Sequence, residues 1–225
     1  MKIKAAFLCL LFTVVNSFAQ KDTLQLGDRY AEDQLYISIS YSQLNEQPSL
    51  ISKSNFSYAL SAGFLKDIIL NKQGSVSFAA GVGFGYDYFN HKLKVDEVNT
   101  STIFSSDNTI NNNIFKTYNL EFPLEFRWRT SNAKKYNFWR VYTGVKFIYN
   151  LQNTFSYTDA NQQNFKYKNL NAYNNLQYGL TFSAGYDEFN VHLFYGLSPI
   201  FKDATINTEA INTKILKFGL IYYLL

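Results

Sequence analysis

Between Thr117 and Arg129 every second residue is large and apolar. Tyr118, Leu120, Phe122, Leu124, Phe126 and Trp128 form one set, and Asn119, Glu121, Glu125, Arg127 and Arg129 alternate with them. Successive side chains of a β-strand point to opposite faces, so a period of two separates the two sets completely, whereas a helix scatters them around its circumference. The pattern recurs from Phe138 to Leu151, where Trp139, Val141, Val145, Phe147, Tyr149 and Leu151 oppose Arg140, Tyr142, Gly144, Lys146 and Asn150. From Ser75 to Tyr88 it sets Val76, Phe78, Ala80, Val82, Phe84, Tyr86 and Tyr88 against serine, alanine, glycine and Asp87. Shorter versions at Leu35–Tyr41, Phe56–Phe64, Leu176–Tyr186, Phe189–Leu197 and Leu216–Leu224 bring the total to eight.

Eight alternating strands joined by turns predict an all-β, antiparallel up-and-down barrel, and volume decides which face points inward. The interior of an eight-stranded barrel is just wide enough for side chains to fill it. Glycine, serine, alanine and the charged set fit there; the bulky residues do not. A soluble barrel carrying an apolar ligand would have the opposite polarity. The expected lumen network is therefore Glu121, Glu125, Arg127, Arg129, Arg140, Lys146, His192 and Lys217, and the expected lipid-facing set includes Tyr118, Leu120, Phe122, Leu124, Phe126, Trp128, Val141, Val145 and Phe147. An arginine or lysine facing lipid near the midplane would cost about 2–4 kcal/mol. A transmembrane barrel also explains how a chain that is 47% hydrophobic can lack a later helical span, because barrel closure satisfies every backbone hydrogen bond inside the membrane.

The N-terminus supplies a compartment. Lys2 and Lys4 precede an apolar run from Ala5 to Val15, and Ser17-Phe18-Ala19-Gln20 reads as a small-x-small cleavage site. That run, about a dozen residues, is shorter than the roughly 20 a membrane helix needs. The expected organisation is a cleaved signal peptide over 1–19, a periplasmic lead-in over 20–33 and a barrel over 34–225. Cys9 lies in the signal and does not follow a small residue, which argues against a lipoprotein signal; the mature chain would hold no disulfide. Removing Lys2 and Lys4 lowers the formal charge from +4 to about +2, so no basic excess points to nucleic acid.

Aromatic residues and loop lengths orient the barrel. Tyr86, Tyr88 and Phe89 gather at one end of their strand, Trp128 and Trp139 at the other, and Tyr222 and Tyr223 lie beside the C-terminus, as an interfacial girdle requires. The connections alternate in length: Gln43–Asn55 moderate, Lys66–Gly74 short, Asn90–Ile114 long, Thr130–Tyr136 short, Gln152–Asn171 long, Asp187-Glu188 very short, Ser198–Thr213 moderate. Outer-membrane barrels keep short turns in the periplasm and long loops outside. The termini would then be periplasmic, and the Asn-, Ser- and Thr-rich stretches of the long loops extracellular. A ten-stranded barrel follows instead if part of a long loop pairs as an extra hairpin. Pro123 falls in the polar register, on the lumen side and at a bulge.

The chain resembles the small outer-membrane β-barrel proteins of Bacteroidota, labelled porin-family or PorT-like. The resemblance rests on the signal ending Ser17-Phe18-Ala19-Gln20, on Tyr118-Asn119-Leu120-Glu121-Phe122-Pro123-Leu124-Glu125-Phe126 and on the final strand Leu216–Leu225, and it spans essentially the whole mature chain. It departs from many outer-membrane barrels in ending on leucine rather than phenylalanine. The resemblance implies architecture and offers no catalytic residues to carry over.

Chemistry-bearing motifs are sparse. His91 opens the longest loop near Asp87 and Asp96, and His192 lies in the lumen register of the seventh strand; neither has a nucleophile at a recognisable spacing. Two distant histidines make no metal site, and solvated loop charge is the stronger reading of Asp96, Glu97 and Asp107. Gly81, Gly83 and Gly85 alternate within a strand with no helix after them, so they are small lumen residues and not a nucleotide loop. The expectation is a non-enzymatic, cofactor-free barrel, monomeric and surrounded by outer-membrane lipid, whose extracellular loops bind a partner or surface ligand. Two other readings stand beside it: a subunit of an outer-membrane secretion or assembly complex, contacting other outer-membrane or periplasmic proteins, and a narrow channel.

Overall fold

The structure, a computed structural model, describes residues 33–51, 56–99, 101–107, 109–130 and 139–224. The expected signal peptide, nearly all of the lead-in, residues 131–136 of the expected short turn, and Leu225 lie outside the described residues. Thirteen strands are described: β1 (Gln34–Asn45), β2 (Tyr58–Ile69), β3 (Val76–Asn90), β4 (Leu93–Val98), β5 (Ser101–Ser106), β6 (Asn111–Arg129), β7 (Trp139–Thr158), β8 (Asn164–Lys168), β9 (Leu176–Tyr186), β10 (Phe189–Gly196), β11 (Thr205–Ile206), β12 (Glu209–Ala210) and β13 (Lys214–Leu224). Eight of them close a ring in chain order, β1-β2-β3-β6-β7-β9-β10-β13, with every neighbour antiparallel and β13 pairing back onto β1. β4 and β5 pair only with each other, so the extra hairpin stays outside the barrel and the count is eight, not ten.

The alternation read from the sequence becomes inside and outside. On β6 the outward residues Tyr118, Phe122, Leu124, Phe126 and Trp128 are exposed, with Leu120 half-buried, while Thr117, Asn119, Glu121, Glu125, Arg127 and Arg129 are buried within the ring. On β7, Phe147 is exposed outward with Val141 and Val145 half-buried. From Tyr118 to Trp128 the apolar stretch runs about 34 Å along the strand, or about 25 Å of height at the usual tilt, the thickness of an outer-membrane apolar band. An apolar belt this continuous has no water-soluble counterpart.

Aromatic rings edge the belt on both sides. At one edge Tyr41, Phe56, Tyr58, Tyr86 and Tyr118 follow one another at centroid separations of 5.9, 6.3, 6.2 and 5.2 Å. At the other, Trp139 meets Tyr186 at 5.6 Å and Phe189 meets Tyr222 at 4.6 Å. Two residues expected in these girdles point the other way: Phe89 and Tyr223 are both fully buried inside. In each case the residue follows an outward tyrosine, and a period of two places it in the lumen.

The connections after β2, β6 and β9 lie at the same end as the start of β1 and the end of β13. The four longer ones, after β1, β3, β7 and β10, lie at the opposite end. β6 and β7, at 19 and 20 residues, continue past the belt into the long-loop end. Pro123 is buried on the lumen side, but no bulge lies there: the register is the same at Ala80↔Leu124 and Gly83↔Glu121, and only the pairings between are missing on the β3 side. A proline has no N–H to give that ladder. The nearby register shift falls instead where Tyr118 pairs with Gln152 and Asn119 with Asn150, leaving Leu151 as the extra residue.

Candidate functional site: a charged lumen under an apolar cap

The lumen has two storeys. The storey toward the short turns holds charge. Asp67 sits between two arginines, with Arg129 Nη1 3.0 Å away and Arg127 Nη1 3.5 Å away, and accepts from the Ser77 hydroxyl at 2.7 Å. Arg127 also donates through Nε to Glu125 at 3.0 Å and lies over the rings of Tyr142 and Tyr223 at 4.7 and 5.9 Å. Further along, Lys146 donates to Glu121 at 2.9 Å, and Lys217 pairs with Asp87, which accepts from Asn119 at 2.8 Å and Thr117 at 3.2 Å. Arg140 is fully buried in the same storey, and His192 Nδ1 stands 2.8 Å from Ser183 Oγ.

Four buried carboxylates (Asp67, Asp87, Glu121 and Glu125) thus face five buried cations among the described residues. Removing ions from water costs several kcal/mol each, and only close opposite charge with satisfied hydrogen bonds offsets it. The near balance of sign means that the lumen carries no strong field of one polarity. Asp67 and Asp87 are members that the sequence reading did not assign to the network. Asp87 was visible in the polar register of its strand. Asp67 was placed in a turn, because Leu65 points inward and Lys66 outward, reversing the polarity after Phe64.

Above this storey the interior turns apolar. Phe89, Phe115 and Phe155 stack at 5.6 and 4.0 Å between centroids, with Leu44, Ile148, Phe194 and Ile215 beside them on the strands. The loops close over them: Leu93 and Val95 from β4, Leu170 and Tyr173 after β8, and Ile200, Phe201, Ile206 and Ile211 between β10 and β13 belong to the same buried cluster. The long loops were expected as polar, exposed stretches, but their inner residues form a packed cap.

Polar struts hold the cap's outer side. The hydroxyls of Tyr157 and Tyr167 both donate to Asp96. Lys94 lies 3.5 Å from Asp96 and 3.6 Å from Asp107, and Lys214 pairs with Glu46 at 2.8 Å. Asp96 and Asp107 are therefore structural ties within the cap. No group of three or more histidine, cysteine, aspartate or glutamate side chains suited to a metal occurs among the described residues.

His91 lies in the apolar storey, with its ring edge-on to Phe115 and Phe155 at 6.3 and 5.8 Å. Its Nε2 has no hydrogen-bond partner among the described residues, and burial pushes its pKa down to about 3. A cavity of about 10 Å³ remains beside it, lined in part by Leu44, Ile51, Phe155 and Phe201; that is room for about one water. The Ser183–His192 pair has the spacing of a nucleophile and its base. Both side chains are buried in the lumen, however, beneath the cap and beyond the reach of a substrate.

A closed antiparallel ring with an apolar belt outside, aromatic edges and charge within defines a transmembrane β-barrel. Residues 18–202 match the family model described as "Outer membrane protein beta-barrel domain". The chain belongs to that family, and its place is the outer membrane. No curated protein matches the sequence. Among solved structures, it is similar to Ail, the attachment invasion locus protein of Yersinia pestis, at 13% identity over 86% of this chain and 99% of that one, with a TM-score of 0.34. The same protein in complex with the heparin analogue sucrose octasulfate gives 12% identity, coverage of 86% and 99%, and a TM-score of 0.33. A mutant of the Rh. blastica porin gives 7%, 87% and 100%, and 0.15.

Proposed function

We propose that this protein is a closed, non-enzymatic anchor whose folded cap faces outward from the cell and presents a rigid surface for binding a partner or surface ligand. The observation that carries this reading is the seventeen-residue buried cluster shared by strand ends and loops. Such packing fixes the shape of the long-loop end and lets its outer residues act as a preformed binding face. It also opposes a narrow channel, since an ion leaving the charged storey would meet stacked phenylalanines and no polar path. Both histidines are enclosed, which supports the absence of catalysis.

Two measurements test the reading. In planar bilayers the refolded barrel should give no stable single-channel steps; steps of open-porin size would refute the closed lumen. In intact cells, a tag inserted at Asn161, in the exposed β7–β8 turn, should be reached by an impermeant label; protection of that tag in intact cells and labelling only after lysis would overturn the outward orientation. Native mass in mild detergent separates the anchor from its rival: a monomer fits the anchor, and a stable larger assembly would replace it with the secretion or assembly subunit of the PorT-like reading.

A further inference from the structure

Where β6 and β7 leave the belt, their outer face changes character. β7 exchanges partners at this height, pairing with β9 up to Tyr149↔Leu176 and with β8 from Thr154↔Lys168 onward. The outward residues of the resulting three-stranded extension include Ile114 and Lys116 on β6, Thr154, Ser156 and Thr158 on β7, and Asn164, Lys166 and Lys168 on β8. The inward residues Phe115, Phe155 and Tyr167 pack on the cap. Three lysines thus share one outward face. Lys116 and Lys168 flank Thr154 in a single cross-strand row, about 10 Å apart, and Lys166 stands about 7 Å above Lys168.

The height of this face is fixed by its pairings. Lys116 pairs with Tyr88 and its ammonium lies 5.6 Å from the centre of that ring, while Tyr118, one step lower on the same face, pairs with Tyr86 in the aromatic edge of the belt. The lysines therefore sit immediately above the apolar band, in the layer occupied by lipid headgroups, where long basic side chains extend toward phosphate. A groove of about 370 Å³ rises along the same face, lined in part by Ile114, Ser156, Thr158, Asn164 and Lys166.

Two other lysines of the cap are neutralised: Lys94 by Asp96 and Asp107, and Lys214 by Glu46. Lys116, Lys166 and Lys168 form no ion pair among the described residues. The nearest carboxylate along the hairpin, Asp159, is turned into the β7–β8 turn, where it accepts from the backbone N–H groups of Asn161 and Gln163 at 2.9 and 2.8 Å. We infer that this basic face binds the phosphorylated headgroups of the surrounding membrane lipid and holds a shell of anionic lipid on the β6–β8 side of the barrel. The inference needs the tyrosine edge to mark the membrane boundary; it does not need the cap to bind a partner.

The test uses the full mature chain refolded in nanodiscs of phosphatidylcholine alone, or with phosphatidylglycerol or lipid A added, and counts co-retained lipid by native mass spectrometry. Wild-type protein should retain lipid A and phosphatidylglycerol over phosphatidylcholine. The triple variant K116Q/K166Q/K168Q should lose that preference at least tenfold, since each lysine close to an anionic surface is worth about a fivefold factor. Lys72→Gln, at the short-turn end, should leave it unchanged. Heat-dependent gel mobility checks that the triple variant folds, and the three single variants take its place if it does not. Equal retention in wild type and triple variant would overturn the inference. So would displacement of the lipid by millimolar inorganic phosphate, which would make the face a site for free anions. Neither result bears on bilayer conductance or cap labelling, so the anchor reading stands or falls separately.

Discussion

Replacing Asp67 by alanine isolates the energetics of the charged storey. The substitution removes the carboxylate that stands 3.0 Å from Arg129 and 3.5 Å from Arg127, and the acceptor of the Ser77 hydroxyl at 2.7 Å. Arg127 keeps Glu125, and Arg129 keeps the Gly74 carbonyl at 2.7 Å, but the guanidinium of Arg129 loses a close opposite charge while fully buried. Breaking a buried pair from one side costs about 3–5 kcal/mol, because the remaining charge keeps its desolvation cost with one close opposite charge fewer. With a urea dependence of about 2 kcal/mol/M, the unfolding midpoint should fall by about 2 M. Fluorescence of Trp128 and Trp139, at the same end of the barrel, reports the transition. Asp67→Asn, which retains an acceptor for Ser77, should cost less than alanine. The double variant D67A/R129M should recover part of the loss, because it removes the buried cation as well. A midpoint within about 0.3 M of wild type for D67A, or a double variant no more stable than the single, would refute the account of the lumen as mutually compensating charge.

Gly144→Ala should abolish folding into the membrane: a Cβ there would lie 1.9 Å from the Leu124 carbonyl oxygen and 2.9 Å from Glu125 Cα, both backbone atoms that cannot yield, and loss of the heat-modifiable band on a gel would show it. Phe155→Ala should cost about 3–5 kcal/mol within the cap, speeding amide exchange in β4 and β5 while the belt strands stay protected; equal acceleration in the belt would mean that the two storeys do not open separately. His91 is neutral in the folded cap, with its pKa lowered from 6.5 to about 3. As pH falls the open state takes the proton first, so the His91 contribution is complete above pH 6.5 and is lost by about 1.4 kcal/mol per unit toward pH 3. Amide exchange of the cap measured from pH 7 to pH 4 should show that slope in wild type and lose it in His91→Leu; a slope unchanged in the variant would assign it to another group.

The belt was legible because lipid and lumen impose opposite demands on adjacent residues, and eight strands could be counted from that alternation alone. The cap was harder to read for two reasons. The extra residue Leu151 shifts the phase of β7, so that inward residues are Arg140, Tyr142 and Lys146 below it and Asn153, Phe155 and Tyr157 above it. Beyond the belt the polarity also inverts, with apolar residues inside and polar ones facing water. Leu93, Val95, Phe155 and Tyr157 keep a period of two, yet Lys94, Asp96, Thr154, Ser156 and Thr158, which alternate with them, gave those stretches the composition of loose loops. Phe89 and Tyr223 went astray in a similar way, since an aromatic residue beside a girdle tyrosine satisfies composition on either face, and only strict register assigns it inward.

β6 and β7 run without interruption from the short turns, through the belt and into the cap, joined for most of their length by one ladder. A partner pulling on the cap along the membrane normal would load the hydrogen bonds of that ladder largely in shear, many at once, instead of peeling a loop from its stem one bond at a time. The same continuity leaves no hinge between the part of the molecule held by lipid and the cap. Mechanically the protein is closer to a rivet than to a tether.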